Sequence, residues 1–212
     1  MRRGGRICII DDDEAIREAL RLLLSAAGIS SHLYASADEF LARTDNRLFD
    51  CVLLDIRMPG MDGLGLFQHL LRERAQYPVI FITGHGDIPL AVGAIKQGAF
   101  DFLTKPFREG ELLEKVNAAI QHFRDQKDQR ELRQELSCRM ESCTPRERDV
   151  MRLMVAGLHN KDIGEELQIS PRTVEIHRAQ VMAKMQAESL PALVRMTASL
   201  GIFPDGGGDQ GT

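Results

Sequence analysis

The sequence predicts an α/β fold: a doubly wound, five-stranded parallel sheet followed by a second, smaller all-α domain. Three observations carry this expectation. Short β-branched runs alternate with helical stripes over residues 1–125. The polar residues Asp11, Asp12, Asp55, Thr83 and Lys105 fall at the ends of those runs, and beyond residue 143 no strand pattern returns. At about 150 residues per domain, a chain of 212 residues holds between one and two.

Strands are expected at residues 6–11, 51–55, 79–83 and 100–104, with a weaker one at 32–35. Ala15, Ile16, Ala19, Leu20, Leu22 and Leu23 form the stripe of a first helix that Gly28 ends. Leu64, Phe67, Leu70 and Leu71 repeat the pattern over residues 63–74, with Asp62 as N-cap. A helix over 88–97 places Pro89 at its first position and stops at Gly98. The last helix of this half begins near Glu109 and carries a seam of Leu113, Val116, Ile120 and Phe123. Strands and helices in alternation mean a parallel sheet covered on both faces.

Residues 124–134 are helix formers without a wide apolar face and read as an exposed helical linker. A short coiled coil is the rival, because Leu132 and Leu136 resume an i, i+4 spacing. The divisions expected are therefore 1–123, a linker at 124–143, a helical domain at 144–201 and a disordered tail at 202–212.

Composition narrows the function classes. Hydrophobic residues at 43% and charged residues at 27% exclude disorder over most of the length. The longest apolar runs, 7–10, 51–54 and 79–82, fall far short of the ~20 residues a bilayer needs. No signal-type apolar region follows the basic Met1-Arg2-Arg3-Gly4-Gly5, so the cytoplasm is the expected location and no membrane partner is expected. Cys8 and Cys51 sit in apolar runs as core residues, while Cys138 and Cys143 lack the spacing of a zinc site. The net charge of −4 argues against nucleic-acid binding by bulk charge. Residues 144–200 carry eight basic and seven acidic side chains, so any basic face there is local.

In an open parallel sheet, ligands bind beyond the carboxyl ends of the strands at the switch point of strand order. Asp11, Asp12 and Asp55 converge there and repel one another unless a cation sits among them. An open, all-oxygen donor set suits Mg²⁺. A carboxylate beside such a cation can act as nucleophile toward a phosphoryl group, with Lys105 as fixed positive charge and Thr83 as hydroxyl donor. Asp55 is the central candidate, and the enzyme alternative is a stand-alone aspartyl-phosphate phosphatase. That chemistry needs an acid two residues beyond the nucleophile, where this chain has Arg57.

Residues 6–123 resemble the receiver domain of bacterial two-component response regulators, a flavodoxin-like fold. The resemblance rests on Ile9-Ile10-Asp11-Asp12, Leu53-Leu54-Asp55-Ile56-Arg57-Met58-Pro59, Thr83-Gly84-His85-Gly86-Asp87 and Phe102-Leu103-Thr104-Lys105-Pro106-Phe107. It implies that Asp55 accepts a phosphoryl group from a sensor histidine kinase. It further implies that Asp12, Asp55 and the Arg57 carbonyl bind Mg²⁺ with Asp11 in the outer shell. Thr83 and Phe102 would act as the switch, and the Lys105–Pro106 bond would be cis. A phosphoryl group brings about −2 charge, and two or three charge-assisted hydrogen bonds match the ~5.5 kcal/mol needed to invert a 1:99 population. Val92 and Ile95, on the helix after the switch threonine, are candidates for pairing two molecules, with plain core packing as their alternative.

In the C-terminal third, Thr144-Pro145-Arg146-Glu147 reads as a capping box opening a helix with Val150, Leu153, Met154 and Val155. Asn160 is the expected cap of a second helix with Ile163 and Leu167. Ser170-Pro171 opens a third over 171–185 that turns Val174, Val181, Met182 and Met185 inward. Two helices around a tight turn fit a helix-turn-helix, with a small helical bundle as the rival. Residues 144–201 resemble the helix-turn-helix of the LuxR/NarL class, on Gly157-Leu158-His159-Asn160-Lys161-Asp162-Ile163 and Ser170-Pro171-Arg172-Thr173-Val174-Glu175-Ile176-His177-Arg178. The two halves in this order are similar to FixJ-type regulators. Gly164 stands where the class usually has alanine, which is expected to loosen the second helix.

By that analogy Lys161, Arg172, Thr173, His177 and Lys184 touch phosphates, while Glu175, Ile176 and Arg178 reach base edges. Leu193, Met196 and Thr197 on the last helix are candidates for pairing two copies. The function expected is a transcription regulator, not an enzyme. Phosphorylated on Asp55, it forms a homodimer on promoter DNA, with RNA polymerase as a further candidate partner. A receiver acting through protein contact without DNA is the other class.

Overall fold

The computed structural model describes residues 4–42, 49–84 and 87–201. The expected disordered tail, the basic N-terminal residues 1–3 and the middle of the Thr83–Asp87 motif lie outside the described residues. Two compact units divide between Lys127 and Asp128.

The first unit holds strands β1 (Arg6–Ile10), β2 (Ser30–Tyr34), β3 (Cys51–Asp55), β4 (Val79–Thr83) and β5 (Asp101–Thr104). They form one parallel sheet in the order β2-β1-β3-β4-β5. Strand order therefore reverses at β1, and the carboxyl ends of β1 and β3 flank the switch point. Period-2 alternation divides the core into two layers. Ile7, Ile9, Cys51, Leu53, Ile80, Ile82 and Leu103 face α1 (Glu14–Ala26) and the first part of α5 (Glu109–Glu141). Cys8, Ile10, Val52, Leu54, Val79 and Phe81 face α2 (Ala37–Ala42), α3 (Gly63–Arg72) and α4 (Ile88–Lys96). Both cysteines of β1 and β3 are core residues, as expected.

Two expectations for the first unit are corrected. The weak strand begins at Ser30, because it pairs along the whole of β1 from Arg6↔Ser30 to Ile10↔Tyr34. The α5 seam is Leu112, Val116, Ala119 and Ile120, with Leu113 and Phe123 only half-buried, because that set keeps the i, i+4, i+7, i+8 helical stripe. Residues 124–134 are helical and mostly exposed, as the middle of α5, which continues through Glu141 and contributes residues to both units. Leu136 is buried, Met140 packs on the second core, and the Arg139 guanidinium donates to the Met185 carbonyl at 3.2 Å.

The second unit contains, besides the end of α5, α6 (Pro145–Val155), α7 (Asn160–Leu167), α8 (Pro171–Met185) and α9 (Leu190–Ser199). Its core joins Cys143, Val150, Met151, Met154, Ile163, Val174, Val181, Met185 and Leu193. The capping box at Thr144 is present: Thr144 Oγ1 accepts from the Glu147 N–H, and Glu147 Oε2 accepts from the Thr144 N–H. The second helix begins one residue earlier than expected, at Asn160. His159 is its N-cap, with Asp162 Oδ2 accepting the His159 N–H at 3.3 Å.

Among the described residues, no helix is long and apolar enough to cross a membrane.

Candidate functional site

The β1, β3 and β5 ends bring Asp11, Asp55 and Lys105 together. Lys105 Nζ lies 2.7 Å from Asp55 Oδ1 and 2.9 Å from Asp11 Oδ2. Asp55 Oδ2 accepts the Arg57 backbone N–H at 2.6 Å, which folds the loop after β3 over the carboxylate. Asp11 Oδ1 accepts the Asp13 N–H, and the Asp11 carbonyl accepts from the Arg17 guanidinium. Asp11 and Thr83 are each 1% exposed and Asp55 is 7% exposed, whereas Asp12 is exposed on the loop beyond β1. The Lys105–Pro106 bond is cis.

Burial pushes the Asp55 carboxyl above its ordinary value, against the pull of the Lys105 ammonium. Burial also works to lower Lys105. Its hydrogen bonds to Asp55 and Asp11, and their charges, outweigh that and hold the ammonium above its ordinary value. Two carboxylates sharing one ammonium leave excess negative charge at this end of the sheet, which favours a further cation. Among the described residues, no three His, Cys, Asp or Glu side chains form a ready-made cation cage. The donors that are present, carboxylates and backbone carbonyls, fit a hard cation that keeps several of its waters.

Thr83 ends β4, and its hydroxyl donates to the Gly84 carbonyl at 3.2 Å. Phe102 is half-buried and packs on the layer beneath α3 and α4. On α4, Ala91 and Ala94 face the core while Val92 (41%) and Ile95 (36%) are exposed.

On α8, Val174, Val181 and Met185 face inward. Arg172, Glu175 and Ile176 are exposed, and Thr173, His177, Arg178 and Lys184 are half-buried. Ile176, at 54% exposure, is an apolar side chain on an otherwise polar face. Lys161 lies exposed on α7, 3.9 Å from Glu165, and Asn160 Nδ2 approaches Glu175 Oε1 at 3.5 Å. Leu193 is fully buried and Thr197 is 1% exposed, donating to the Leu193 carbonyl, so neither side chain presents a pairing surface. Met196 packs on the same core, and Val194 is the exposed apolar residue of α9.

Residues 7–117 match the response regulator receiver domain, and residues 141–197 match the luxR family of bacterial regulatory proteins. The chain belongs to the response regulators of the FixJ/NarL type. It is 43% identical over 205 residues to the transcriptional regulatory protein FixJ of Bradyrhizobium diazoefficiens, covering 97% of this chain and 100% of that one. It is also 43% identical over 198 residues to the response regulator protein TodT of Pseudomonas putida, covering 93% and 87%. Among solved structures, the response regulator StyR matches with a TM-score of 0.80 at 38% identity, over 92% of this chain and 99% of that one. Full-length FixJ from B. japonicum matches with a TM-score of 0.60 at 44% identity, over 94% and 98%. The family is one of transcription regulators.

Several residues of this response regulator escape a reading by motif. Asp13 caps α1 through Ala15 and Ile16. Asp87 holds the Arg57 guanidinium with both carboxylate oxygens, at 2.5–2.9 Å. Gly63 starts α3 so close to the phosphoacceptor candidate that a Cβ there would meet the Asp55 carbonyl oxygen at 2.0 Å. Lys184 Nζ is held by Glu147 Oε2 at 2.6 Å. The Asp62-Gly63 cap is visible in sequence, but which strand end it touches is a matter of tertiary packing.

Proposed function

We propose that this regulator is controlled by phosphorylation of Asp55 by a sensor histidine kinase, and that the phosphorylated form dimerises and binds promoter DNA. The observation that carries the reading is the Lys105 ammonium bridging Asp55 and Asp11 at the switch point of the sheet. Asp55 presents Oδ1 beside a fixed positive charge while its other oxygen is anchored by the Arg57 N–H. That arrangement orients a nucleophile and leaves a cation to offset charge on an arriving phosphoryl group.

Asp12, Asp55 and the Arg57 carbonyl would hold Mg²⁺, with Asp11 in the outer shell. Bound there, the ion supplies charge neutralisation for the phosphoryl oxygens. Thr83 and Phe102 would relay the change. Val92 and Ile95 would pair two molecules. In the second unit, Arg172, Thr173, His177, Lys161 and Lys184 would meet phosphates, and Glu175, Ile176 and Arg178 base edges. The naming of FixJ as a transcriptional regulatory protein supports the DNA-binding role. RNA polymerase is a further partner in this reading.

The test is mass in solution and band shift before and after acetyl phosphate with Mg²⁺, for the parent chain and Asp55→Asn. The parent should gain one phosphoryl group, double in mass and shift promoter DNA, while a folded Asp55→Asn chain should do none of these. Equal labelling of both chains would overturn the reading.

A further inference from the structure

Asp13, Asp62, Thr144, Ser170 and Ser189 precede their helices in extended backbone, and each side chain accepts a first-turn N–H. Asp87 holds the same position before α4, yet it caps nothing. Its backbone, at φ −107° and ψ 4°, is not extended. Both of its carboxylate oxygens are taken by Arg57: Nε at 2.8 and 2.9 Å and Nη2 at 2.5 Å. Asp87 is only 4% exposed, whereas the Arg57 side chain is 75% exposed.

Pro89, the second residue of α4, has no N–H, so the Leu90 N–H is the donor that a capping Asp87 would take. Arg57 is also tethered to the phosphoacceptor candidate, since its backbone N–H donates to Asp55 Oδ2 at 2.6 Å. The Asp87 hydrogen bond and charge favour the charged guanidinium most strongly, and Asp55 adds to the same effect. A single arginine thus stands in the field of two carboxylates on different loops.

We infer that the Arg57–Asp87 pair is a latch that a phosphoryl group on Asp55 opens: Arg57 turns to the phosphoryl oxygens, and the released Asp87 caps α4. The inference rests on the reading of Asp55 given under Proposed function. An arginine fork matches phosphoryl oxygens as well as it matches a carboxylate, and the phosphoryl group carries the larger charge. Capping requires Asp87 to move from its present ψ to the extended region, which shifts the start of α4. Leu90 lies in that first turn and shares a cleft with Arg57, Met58 and Pro59. Leu90 is 44% exposed, on the same helix as exposed Val92 and Ile95, so the shift reaches the proposed pairing surface directly.

Asp87→Asn removes the charge that holds Arg57 but keeps a side chain able to cap, whereas Asp87→Ala removes both. The full-length parent and both variants are compared by sedimentation and by amide hydrogen exchange at Leu90, with and without acetyl phosphate and Mg²⁺. Intact mass reports the phosphoryl group in every sample. Without the donor, Asp87→Asn should pair at about tenfold lower concentration than the parent and slow Leu90 exchange, and Asp87→Ala should do neither. With the donor, Leu90 exchange should slow in the parent and not in Asp87→Ala. The latch is overturned if donor-free Asp87→Asn matches the parent in both pairing and Leu90 exchange. A parent that gains no phosphoryl mass sinks the reading of Asp55 instead, and the donor-free comparison still decides the latch.

Discussion

Lys184 reaches from α8 to Glu147 at the start of α6, placing its ammonium 2.6 Å from the oxygen that also accepts the Thr144 N–H. One carboxylate therefore caps α6 and fixes α8 against it. That contact makes Lys184 part of the framework that orients the helix-turn-helix, and its proposed phosphate contact has to be shared with Glu147.

The pair makes the second unit acid-sensitive. The hydrogen bond from Lys184, followed by that from Thr144, holds the Glu147 carboxyl below its ordinary value. Its stabilising contribution is present above the unfolded value and is lost as pH falls through the folded one. Thermal unfolding followed from about pH 7 to about pH 3 should show a stability loss in the parent that Glu147→Gln lacks, with Glu147→Gln already less stable at neutral pH.

Leu193→Ala should destabilise the second unit by about 2–5 kcal/mol, the range for emptying a buried leucine site. Urea unfolding measures it. An unchanged midpoint together with lost dimerisation would return Leu193 to the pairing surface.

Lys105→Met leaves the Asp55 and Asp11 carboxylates facing each other without their shared cation. The first unit should lose about 1–3 kcal/mol of stability, read from urea unfolding of the variant beside the parent. Added Mg²⁺ should recover part of that loss, because it binds only the folded arrangement.

Under the proposed DNA contacts, Arg172→Ala should weaken binding to all sequences alike and lower the log–log salt slope by about 1. Arg178→Ala should instead cost about 1–3 kcal/mol on the preferred site and relax selection at one base position. Salt titrations of binding to matched and scrambled duplexes separate the two.

Gly63→Ala should damage phosphorylation without touching a reacting group. Its Cβ would meet the Asp55 carbonyl oxygen at 2.0 Å, so the loop between β3 and α3 has to move. The rate of phosphoryl uptake from acetyl phosphate, by intact mass, should fall at least about tenfold, with the sheet still folded by circular dichroism.

Much of the architecture is legible because local chemistry and tertiary packing agree. The alternation within Val79–Thr83 assigns each side chain to a layer, and Thr144 and Ser170 announce their helices by cap and proline. The strand-end position of Asp55 and Lys105 is readable for the same reason, since a parallel sheet collects its carboxyl ends on one side. What escapes is what depends on distance in space. Nothing near Asp87 in sequence names Arg57, thirty positions away, as its partner. Leu193 and Val194 are adjacent apolar residues on a short helix, and only the packed core decides which one is hidden. Near the end of α5 the i, i+4 pair Leu132 and Leu136 shows in the sequence, but only the second core decides that Leu136 is buried while Leu132 stays exposed.

Gly164 also has an effect on the turn after α7, separate from the loosening of the helix expected of it. A methyl group there would stand 2.8 Å from the Ile169 carbonyl oxygen, and the Gly164 carbonyl itself accepts the Ile169 N–H at 2.9 Å. The bare α-carbon lets the elbow between α7 and α8 close by a few tenths of an ångström more than any other residue allows. Grafting this motif into a sibling with alanine at that point would splay the elbow and re-aim Ile176 and Arg178 together, so the reading head cannot be transplanted without its hinge.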